Sequence, residues 1–522
     1  MSRGFRQSQA WLHTWSGLLV GWVLYAMFLT GTSAYWREEI TRWMTPELGA
    51  PVEAATATRQ ALAWLETHAQ GADAWTVQLP GPRTTGTQVS WRMPGQSFRE
   101  AYASRTWLDA DGHAVAVRDT RGGDFFYRLH FDMHYMPVLW GRWLAGICAM
   151  FMLVAIVSGV VTHRKIFADF FTFRRGKGQR SWLDGHNALA VLALPFHLMI
   201  TYTGLITLMA LYMPFGVDAR YADAQAFYAE LFPQAPTVER SGTPAPLGDV
   251  EAMRVRAAAG WQPDRVDTLR IDLPGDAAAQ VVASRSTDAR IVYDYESMAF
   301  SGTSGALVWR TPSQGAAADT RDGMVGLHAA RFAPMTMRWL FFLSSLAGTL
   351  MVASGLVLWT VKRRAQLPDP ARPHFGFRLV ESLNIGFVAG LPAAMAVFFW
   401  ANRLLPTGMA ERAQWEIHLF FLFWLACVLH ACVRRPVAAW REQLAIGALL
   451  FAALPVYNLI ATHHGLFASL AAGDTAMATM EIGLLVLGAA LGWAAWAVDR
   501  HARRAPARLP RRARVGDTQV PA

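Results

Sequence analysis

Histidines at regular positions are the residues of this sequence best suited to chemistry. His13 and His186 lie near the starts of apolar segments, and each is followed seventeen residues later by a Thr-Gly pair. His130 and His328 each follow a leucine and precede an Arg-Trp-Leu motif. An ionisable side chain within a membrane segment is a functional-site candidate by default, and neutral imidazole is a common ligand of haem iron. These four histidines are therefore candidate axial ligands.

The spacing of these motifs indicates that the N-terminal part of the chain is an internal duplication. One apolar segment begins with Arg142-Trp-Leu and ends with Ser158-Gly. Another begins with Arg338-Trp-Leu and ends with Ser354-Gly, and the spacing between the two motifs is the same. A parallel repeat has its pseudo-axis along the membrane normal. Such an axis between two equivalent histidines suits a haem with one ligand from each half. Ordinary histidines at the membrane boundary are the alternative, and the paired placement favours haem.

Three further histidines break the symmetry of the repeat. His134 lies one turn after His130 and shares its face if the second membrane helix extends outward, and His163 ends that helix. His197 lies eleven residues after His186, roughly 16 Å deeper along a straight helix. An intermediate haem there would shorten electron transfer between the two faces, although its second ligand is left open. The predicted cofactor-binding residues are His13, His130, His134, His163, His186, His197 and His328; His13, His134, His186, His197 and His328 are the predicted iron ligands.

Two arginines and several glycines accompany these histidines. Arg142 and Arg338 could pair with haem propionates, since arginine suits carboxylates, or they could mark the membrane boundary. Close approach of helices or of a flat porphyrin would be allowed by Gly17, Gly21, Gly159, Gly204 and Gly355, but ordinary helix packing explains these glycines equally well.

The composition predicts a polytopic α-helical membrane protein. Of 522 residues, 53% are hydrophobic and only 16% charged, and a spanning helix needs about 20 apolar residues. Eight membrane helices are predicted near 11–35, 139–163, 186–212, 336–361, 380–402, 414–433, 441–460 and 477–498. The net charge of +10 arises from basic clusters that flank these segments, as the positive-inside rule requires. A nucleic-acid surface is therefore excluded, and both termini are predicted to be cytoplasmic.

The two long segments outside the membrane helices each resemble a small α+β module. In the first, a helix near 56–68 precedes strands near 75–79, 88–91 and 106–110. In the second, a helix near 247–259 precedes strands near 266–272, 280–284 and 290–295. The predicted organisation is membrane helix 1 (1–36), module 1 (37–138), membrane helices 2 and 3 (139–212), module 2 (213–335), membrane helix 4 (336–365), an appended four-helix domain (366–500) and a basic cytoplasmic tail (501–522).

The sequence also resembles a known family. Six short motifs are similar to those of the PepSY-associated transmembrane helix family of iron-regulated membrane proteins. They are the run from His13 to Gly17, Leu129-His130, Gly159 to His163, His186-Asn, Pro195-Phe-His197 and Leu327-His328. The resemblance covers about residues 8–365, and the external modules look like PepSY domains. It implies a dihaem protein of the bacterial inner membrane, similar to reductases of ferric hydroxamate siderophores. The modules would then be periplasmic. The smallest members of the family lack the appended helices, and the resemblance therefore does not identify the electron donor.

These observations predict a haem-b protein that carries electrons across the membrane to ferric siderophores or other iron chelates. No nucleotide-binding motif occurs in a strand–turn–helix setting, so quinol or a partner reductase would donate the electrons, and membrane lipid is the remaining predicted partner. The alternatives are a non-redox PepSY binding or regulatory protein, a transporter, and a cytochrome that donates electrons to another periplasmic enzyme. The three cysteines lie in apolar segments, and without a C-x-x-C-H motif covalent haem attachment is excluded.

Overall fold

Long apolar helices dominate the computed structural model, which describes residues 4–49, 51–97, 100–101, 105–163, 174, 176–462 and 465–504. Among these residues, seven helices are long and apolar enough to cross a membrane, and there are eight spans if a bent pair of helices is counted as one. The chain is therefore a multi-pass membrane protein, as predicted. The spans are α1 (Phe5–Ala34), α5 (Val138–Thr162), α6 with α7 (Gln179–Leu192 and Leu194–Thr207), α13 (Met335–Arg364), α14 (Phe375–Leu404), α15 (Arg412–Val433), α16 (Pro436–Ala461) and α18 (Thr475–Arg504).

Shorter helices connect these spans on the side of the β-sheet, which is called the sheet end below; the opposite end is the far end. They are α2 (Arg37–Met44), α3 (Ala54–His68), α4 (Gly122–Leu129), α8 (Met209–Tyr212), α9 (Phe215–Arg220), α10 (Ala224–Leu231), α11 (Val250–Trp261), α12 (Ala316–Ala329) and α17 (Leu466–Ala471). Most of the predicted basic tail, residues 505–522, lies outside the described residues.

The third membrane segment is broken rather than straight. α6 and α7 meet at an angle of 67° across Ala193, so the prediction of one helix over 186–212 is wrong. Pro195 lies at the start of α7. A proline lacks the N–H that would continue the helical hydrogen bonds, and its ring clashes with the preceding turn. The bend moves His197 out of line with His186.

The two external segments form one sheet instead of two separate modules. Its eight antiparallel strands run in the order β4-β3-β2-β1-β5-β6-β7-β8. The central pair, β1 with β5, places Thr76 opposite Arg270 and joins the two segments directly. The strands are β1 (Ala74–Gln78), β2 (Thr87–Arg92), β3 (Thr106–Leu108), β4 (Ala114–Val115), β5 (Val266–Asp272), β6 (Gln280–Arg285), β7 (Ser297–Ser301) and β8 (Leu307–Arg310).

Five of the six predicted strands are present, and one is wrong. The segment 290–295 has strand-like residues, but its backbone binds α12 instead of the sheet: the Tyr293 amide donates to the Asp322 carbonyl oxygen at 3.1 Å. Gly326 permits this approach, because a Cβ there would meet the Ile291 carbonyl oxygen at 1.6 Å. The third strand of the second segment is β7. The short β4 and β8 bring each segment to four strands rather than three.

Both helices of these segments pack on the sheet through apolar side chains. Leu65 of α3 and Trp261 of α11 are fully buried against strand residues such as Val77 and Ile271. Each fully buried large side chain of this kind stabilises the fold by roughly 1.5–3 kcal/mol. One apolar core therefore holds both segments together beneath a shared sheet.

The appended helices α14 to α18 are fastened to α2 by a buried polar network. The Trp43 indole N–H and the Asn458 amide both donate to Glu481 Oε1 at 2.6 Å, and the Arg403 guanidinium lies 3.7 Å from the Trp43 ring centre. Arg412 forms an ion pair with Glu416 in which both side chains are fully buried. Charges buried in this way need partners, so the network fixes the appended domain against the first half of the chain.

Candidate functional site

His13 and His186 form a pair at the far end of the membrane helices. Their ring centres lie 6.3 Å apart. His13 Nδ1 lies 2.8 Å from the Ala155 carbonyl oxygen of α5, and His186 Nδ1 lies 2.9 Å from the Met351 carbonyl oxygen of α13. Since a carbonyl only accepts hydrogen bonds, both Nδ1 atoms carry the proton, which leaves Nε2 of each ring as the metal-binding nitrogen.

His130 and His328 form a second pair at the sheet end. Their ring centres lie 6.1 Å apart. His130, directly after α4, has Nδ1 at 2.6 Å from the Met27 carbonyl oxygen, and His328 on α12 has Nδ1 at 3.1 Å from the Ile200 carbonyl oxygen. Each of the four histidines is therefore bonded to a membrane helix of its own half.

Every one of these four rings lies against a glycine. A Cβ on Gly159 would lie 3.2 Å from the His13 ring, and one on Gly355 would lie 3.1 Å from the His186 ring. At the sheet end, a Cβ on Gly31 would lie 2.7 Å from His130 and one on Gly204 would lie 2.9 Å from His328. These are the glycines of the repeated Thr-Gly and Ser-Gly pairs, so the motif makes room for imidazole rings.

The separation of the rings fits a metal ion held between them. Two imidazoles that bind one ion from opposite sides have ring centres about 6 Å apart, because a metal–nitrogen bond is about 2.0 Å long and the ring centre lies about 1 Å beyond the nitrogen. The observed 6.3 and 6.1 Å agree with this value. A ligating histidine also donates its other N–H to a carbonyl or carboxylate, as all four do here. The residues therefore fit bis-histidine ligation at two levels.

A cavity of about 580 Å³ surrounds the far-end pair. His13, His186 and their two glycines line it, and Trp11 and Trp15 lie near its mouth. The lysine and arginine among its described lining residues are Lys362 and Arg363, and such side chains suit carboxylates. Pockets for large organic cofactors have volumes of roughly 300–1,000 Å³, so a porphyrin with two propionates is an occupant of suitable size and charge.

His197 also lines this cavity, but no imidazole of the described residues lies opposite it. Its ring contacts are with Phe28 and Phe196, each with a ring-centre distance of 6.2 Å, and its buried Nε2 has no hydrogen-bond partner among the described residues. It lies one turn before Ile200, whose carbonyl oxygen is bonded to His328. The structure therefore places His197 between the two pairs without completing a third.

His134 and His163 are placed differently from each other. The chain from His130 to the start of α5 is not helical, so His134 does not share a face with His130. Its ring stacks on Phe421 of α15 at 5.3 Å, next to Tyr135, whose hydroxyl bonds His418. His163 follows α5 and lines the far-end cavity together with His13 and His186. In the part of the chain that the structure describes, neither ring forms a pair with a second imidazole as the paired histidines do.

Arg142 and Arg338 are both bonded to carboxylates of the protein. Arg142 Nε donates to Asp132 Oδ1 at 2.8 Å, and Arg338 Nη1 donates to Glu39 Oε1 at 2.9 Å. Arg338 is also buried. These contacts favour a structural role for the two arginines over a contact with propionates.

Comparison with models of protein families identifies the family to which these motifs belong. The family model described as the PepSY-associated TM region matches residues 10–362. The chain belongs to this family. The four paired histidines, their glycines and the sheet all lie within the matched range, and α14 to α18 lie beyond it. The PepSY-associated chain is also 28% identical over 316 residues to an uncharacterised protein of Pseudomonas aeruginosa, an alignment that covers 56% of this chain and 75% of the relative.

Sequence reasoning identified the paired histidines of this PepSY-associated chain but missed their hydrogen-bond acceptors. The acceptors are backbone carbonyls of Met27, Ala155, Ile200 and Met351, and a carbonyl has no residue-type signature. The one available signal is position: Met27 and Ile200 both lie fourteen residues after the first histidine of their half.

Proposed function

We propose that this protein is a haem-b electron carrier that crosses the bacterial inner membrane and reduces ferric chelates, siderophores in particular, on the periplasmic side. The observation that carries the proposal is the two imidazole pairs, whose ring centres lie 6.3 and 6.1 Å apart with each Nδ1 directed to a carbonyl. A haem bound at each pair would supply a one-electron redox centre. Two such centres at different depths suit electron transfer across the membrane.

The spacing of the two pairs supports transfer between them. α1 carries His13 of one pair and the Met27 carbonyl that orients His130 of the other, and fourteen residues of helix span roughly 21 Å. In the second half, His186 and the Ile200 carbonyl that orients His328 are also fourteen residues apart, on α6 and α7, and the chain between them is bent by 67°. We infer that the halves are a duplication and that each half gives one ligand to each level.

The protein's own residues orient the ligands and exclude water. The four carbonyls fix the tautomer of each ring, which leaves Nε2 unprotonated and able to bind metal. At the far end, the arginine and lysine at the cavity mouth lie on the side that the basic flanks of the helices assign to the cytoplasm, where quinol or a partner reductase would deliver electrons. One electron converts Fe(III) in a chelate to Fe(II), which the chelator holds more weakly.

The test is reoxidation of the reduced protein by a ferric hydroxamate. Purified protein is reduced with limiting dithionite and mixed with ferrioxamine in a stopped-flow instrument, and released Fe(II) is trapped with ferrozine. We expect haem oxidation and Fe(II) formation in equal amounts, and loss of both in a His328→Ala variant. A haem-containing protein that is not reoxidised by any ferric chelate would contradict substrate reduction while leaving electron transport intact.

A further inference from the structure

A second cavity opens at the sheet end of the membrane helices, beside the His130–His328 pair, which is called the outer pair below. Its volume is about 420 Å³, and its walls come from the start of α5, from α7 and α8, and from α10 and α12. Among the described residues that line it, the charged side chains are Arg142 and Arg321, both cationic; most of the other lining residues are apolar. A cavity with two guanidinium groups and apolar walls suits an organic anion.

The cavity is close to the outer histidine pair through two elements. Thr207, which lines it, lies one turn after Gly204, and the His328 ring packs on Gly204. Arg321 lies seven residues before His328 on α12, which is two helical turns or roughly 10 Å. An occupant of this cavity would therefore lie next to the outer redox level.

An arginine related to Arg142 by the sequence repeat is bonded to an internal carboxylate. The repeat aligns Arg338 with Arg142 and Glu39 with Tyr212. The buried Glu39 carboxylate binds Arg338 at 2.9 Å, across the two halves, and also binds Arg83 Nε at 2.8 Å. Tyr212 supplies no carboxylate and instead donates its hydroxyl to the Arg142 carbonyl oxygen at 2.8 Å. Arg142 therefore lacks the contact that Arg338 makes with Glu39, and it lines the cavity.

The two guanidinium groups retain hydrogen-bond capacity for a ligand. Arg142 donates to Asp132, and Arg321 donates to Asp322 and lies 5.4 Å from the Phe232 ring centre. A guanidinium has five N–H donors in a planar fork, so one such contact leaves several unused. Neither aspartate is among the residues that line the cavity.

We propose that this cavity binds a carboxylate-bearing ferric chelate, with Arg142 and Arg321 contacting its carboxylates. The assignment rests on the proposed function, since it supplies the substrate site next to the outer haem level. The headgroup of an anionic lipid has the same chemistry, and the experiment is designed to separate the two sources.

The probe is gallium(III) citrate, which resembles ferric citrate in charge and size but is not reduced. Its binding to the oxidised protein in a neutral detergent is measured by isothermal titration calorimetry for the parent protein, Arg321→Gln and Arg220→Gln. We expect Arg321→Gln to weaken binding by about tenfold or more, the loss typical of a charge-assisted pair. Arg220 is a matched control, because it lies on the neighbouring α9 but does not line the cavity, and its variant should bind as the parent does.

Equal binding by the parent and Arg321→Gln, or no binding by the parent, would overturn the proposal. A second experiment tests for lipid, with the protein in nanodiscs of phosphatidylcholine with and without phosphatidylglycerol. If gallium citrate does not bind in phosphatidylcholine, and if phosphatidylglycerol is retained only when Arg321 is present, the cavity is a lipid site and the proposal is wrong. Because gallium binding requires no electron transfer, it can fail while haem reoxidation succeeds, and the reverse also holds. The two proposals are therefore tested separately.

Discussion

The contact between Gly31 and His130 provides the sharpest test of the outer haem site. In a Gly31→Ala variant, the new methyl group would lie 2.7 Å from both Cε1 and Nδ1 of the His130 ring. Ordinary contact begins near 3.5 Å, so the ring must retreat by about 0.8 Å. The ring is held at 2.6 Å from the Met27 carbonyl oxygen, and it cannot retreat that far without weakening this bond or moving from the axial position.

The cost of this displacement can be expressed as a change in haem affinity. Adding a methyl group to a well-packed site costs about 1–3 kcal/mol. If that cost falls on the haem-bound state, it corresponds to roughly a 5- to 150-fold weaker haem affinity at the outer pair. The far-end pair, to which α1 contributes His13, should be unaffected because its glycines, Gly159 and Gly355, lie on other helices.

The assay compares Gly31→Ala with Gly323→Ala. Gly323 lies on α12, which carries His328 of the same pair, and a Cβ there would meet no atom within 4 Å; it lines neither cavity, so this control carries a similar gain in helix propensity without the contact. Haem per chain is measured by pyridine haemochrome, and haem loss is followed by transfer to excess apomyoglobin. We expect Gly31→Ala to lose the outer haem faster and Gly323→Ala to match the parent. Equal haem content and equal transfer rates in both variants would refute the role of this contact.

Three further predictions concern residues outside the paired rings. Replacing His134 by Ala should leave the haem content unchanged, because its ring stacks on an aromatic residue of α15, and loss of a haem equivalent by pyridine haemochrome would show that it is a ligand. Replacing His197 by Phe should also preserve both haems, since no opposing imidazole contacts its ring among the described residues; a spectrum with one haem fewer would contradict this. Replacing Arg412 by Met should destabilise the protein by about 3–5 kcal/mol, because it leaves Glu416 charged and buried without its partner, whereas the double variant with Glu416→Gln should recover much of the loss in a thermal unfolding assay.

The pairing of the histidines could be predicted because it follows from the repeat alone. Once His13 aligns with His186 and His130 with His328, a two-fold arrangement of the halves brings equivalent residues together at one depth. The membrane spans were predictable for a similar reason, since long apolar segments are a property of local sequence. The structure agrees on the spans and on both ring pairs.

The features that sequence did not predict depend on contacts between distant segments. The joined sheet requires β1 to pair with β5, and a strand carries no signal that identifies a partner so far along the chain. The segment 290–295 has the composition of a strand, but it binds α12 through the Tyr293 amide. The size of the bend at Ala193 could not be predicted, because a proline near the middle of a membrane segment can either kink a helix or break it. The prediction of one straight helix over 186–212 was wrong for that reason.

The central claim is that the two imidazole pairs each hold one haem b. The most direct test is the visible spectrum of the detergent-purified protein from haem-replete cells, oxidised and then reduced with dithionite, with a pyridine haemochrome count for the parent, His13→Ala and His130→Ala. The account predicts two haems b per chain, a sharp α-band on reduction, and loss of one haem in each variant. A colourless parent protein, or variants that keep both haems, would contradict it.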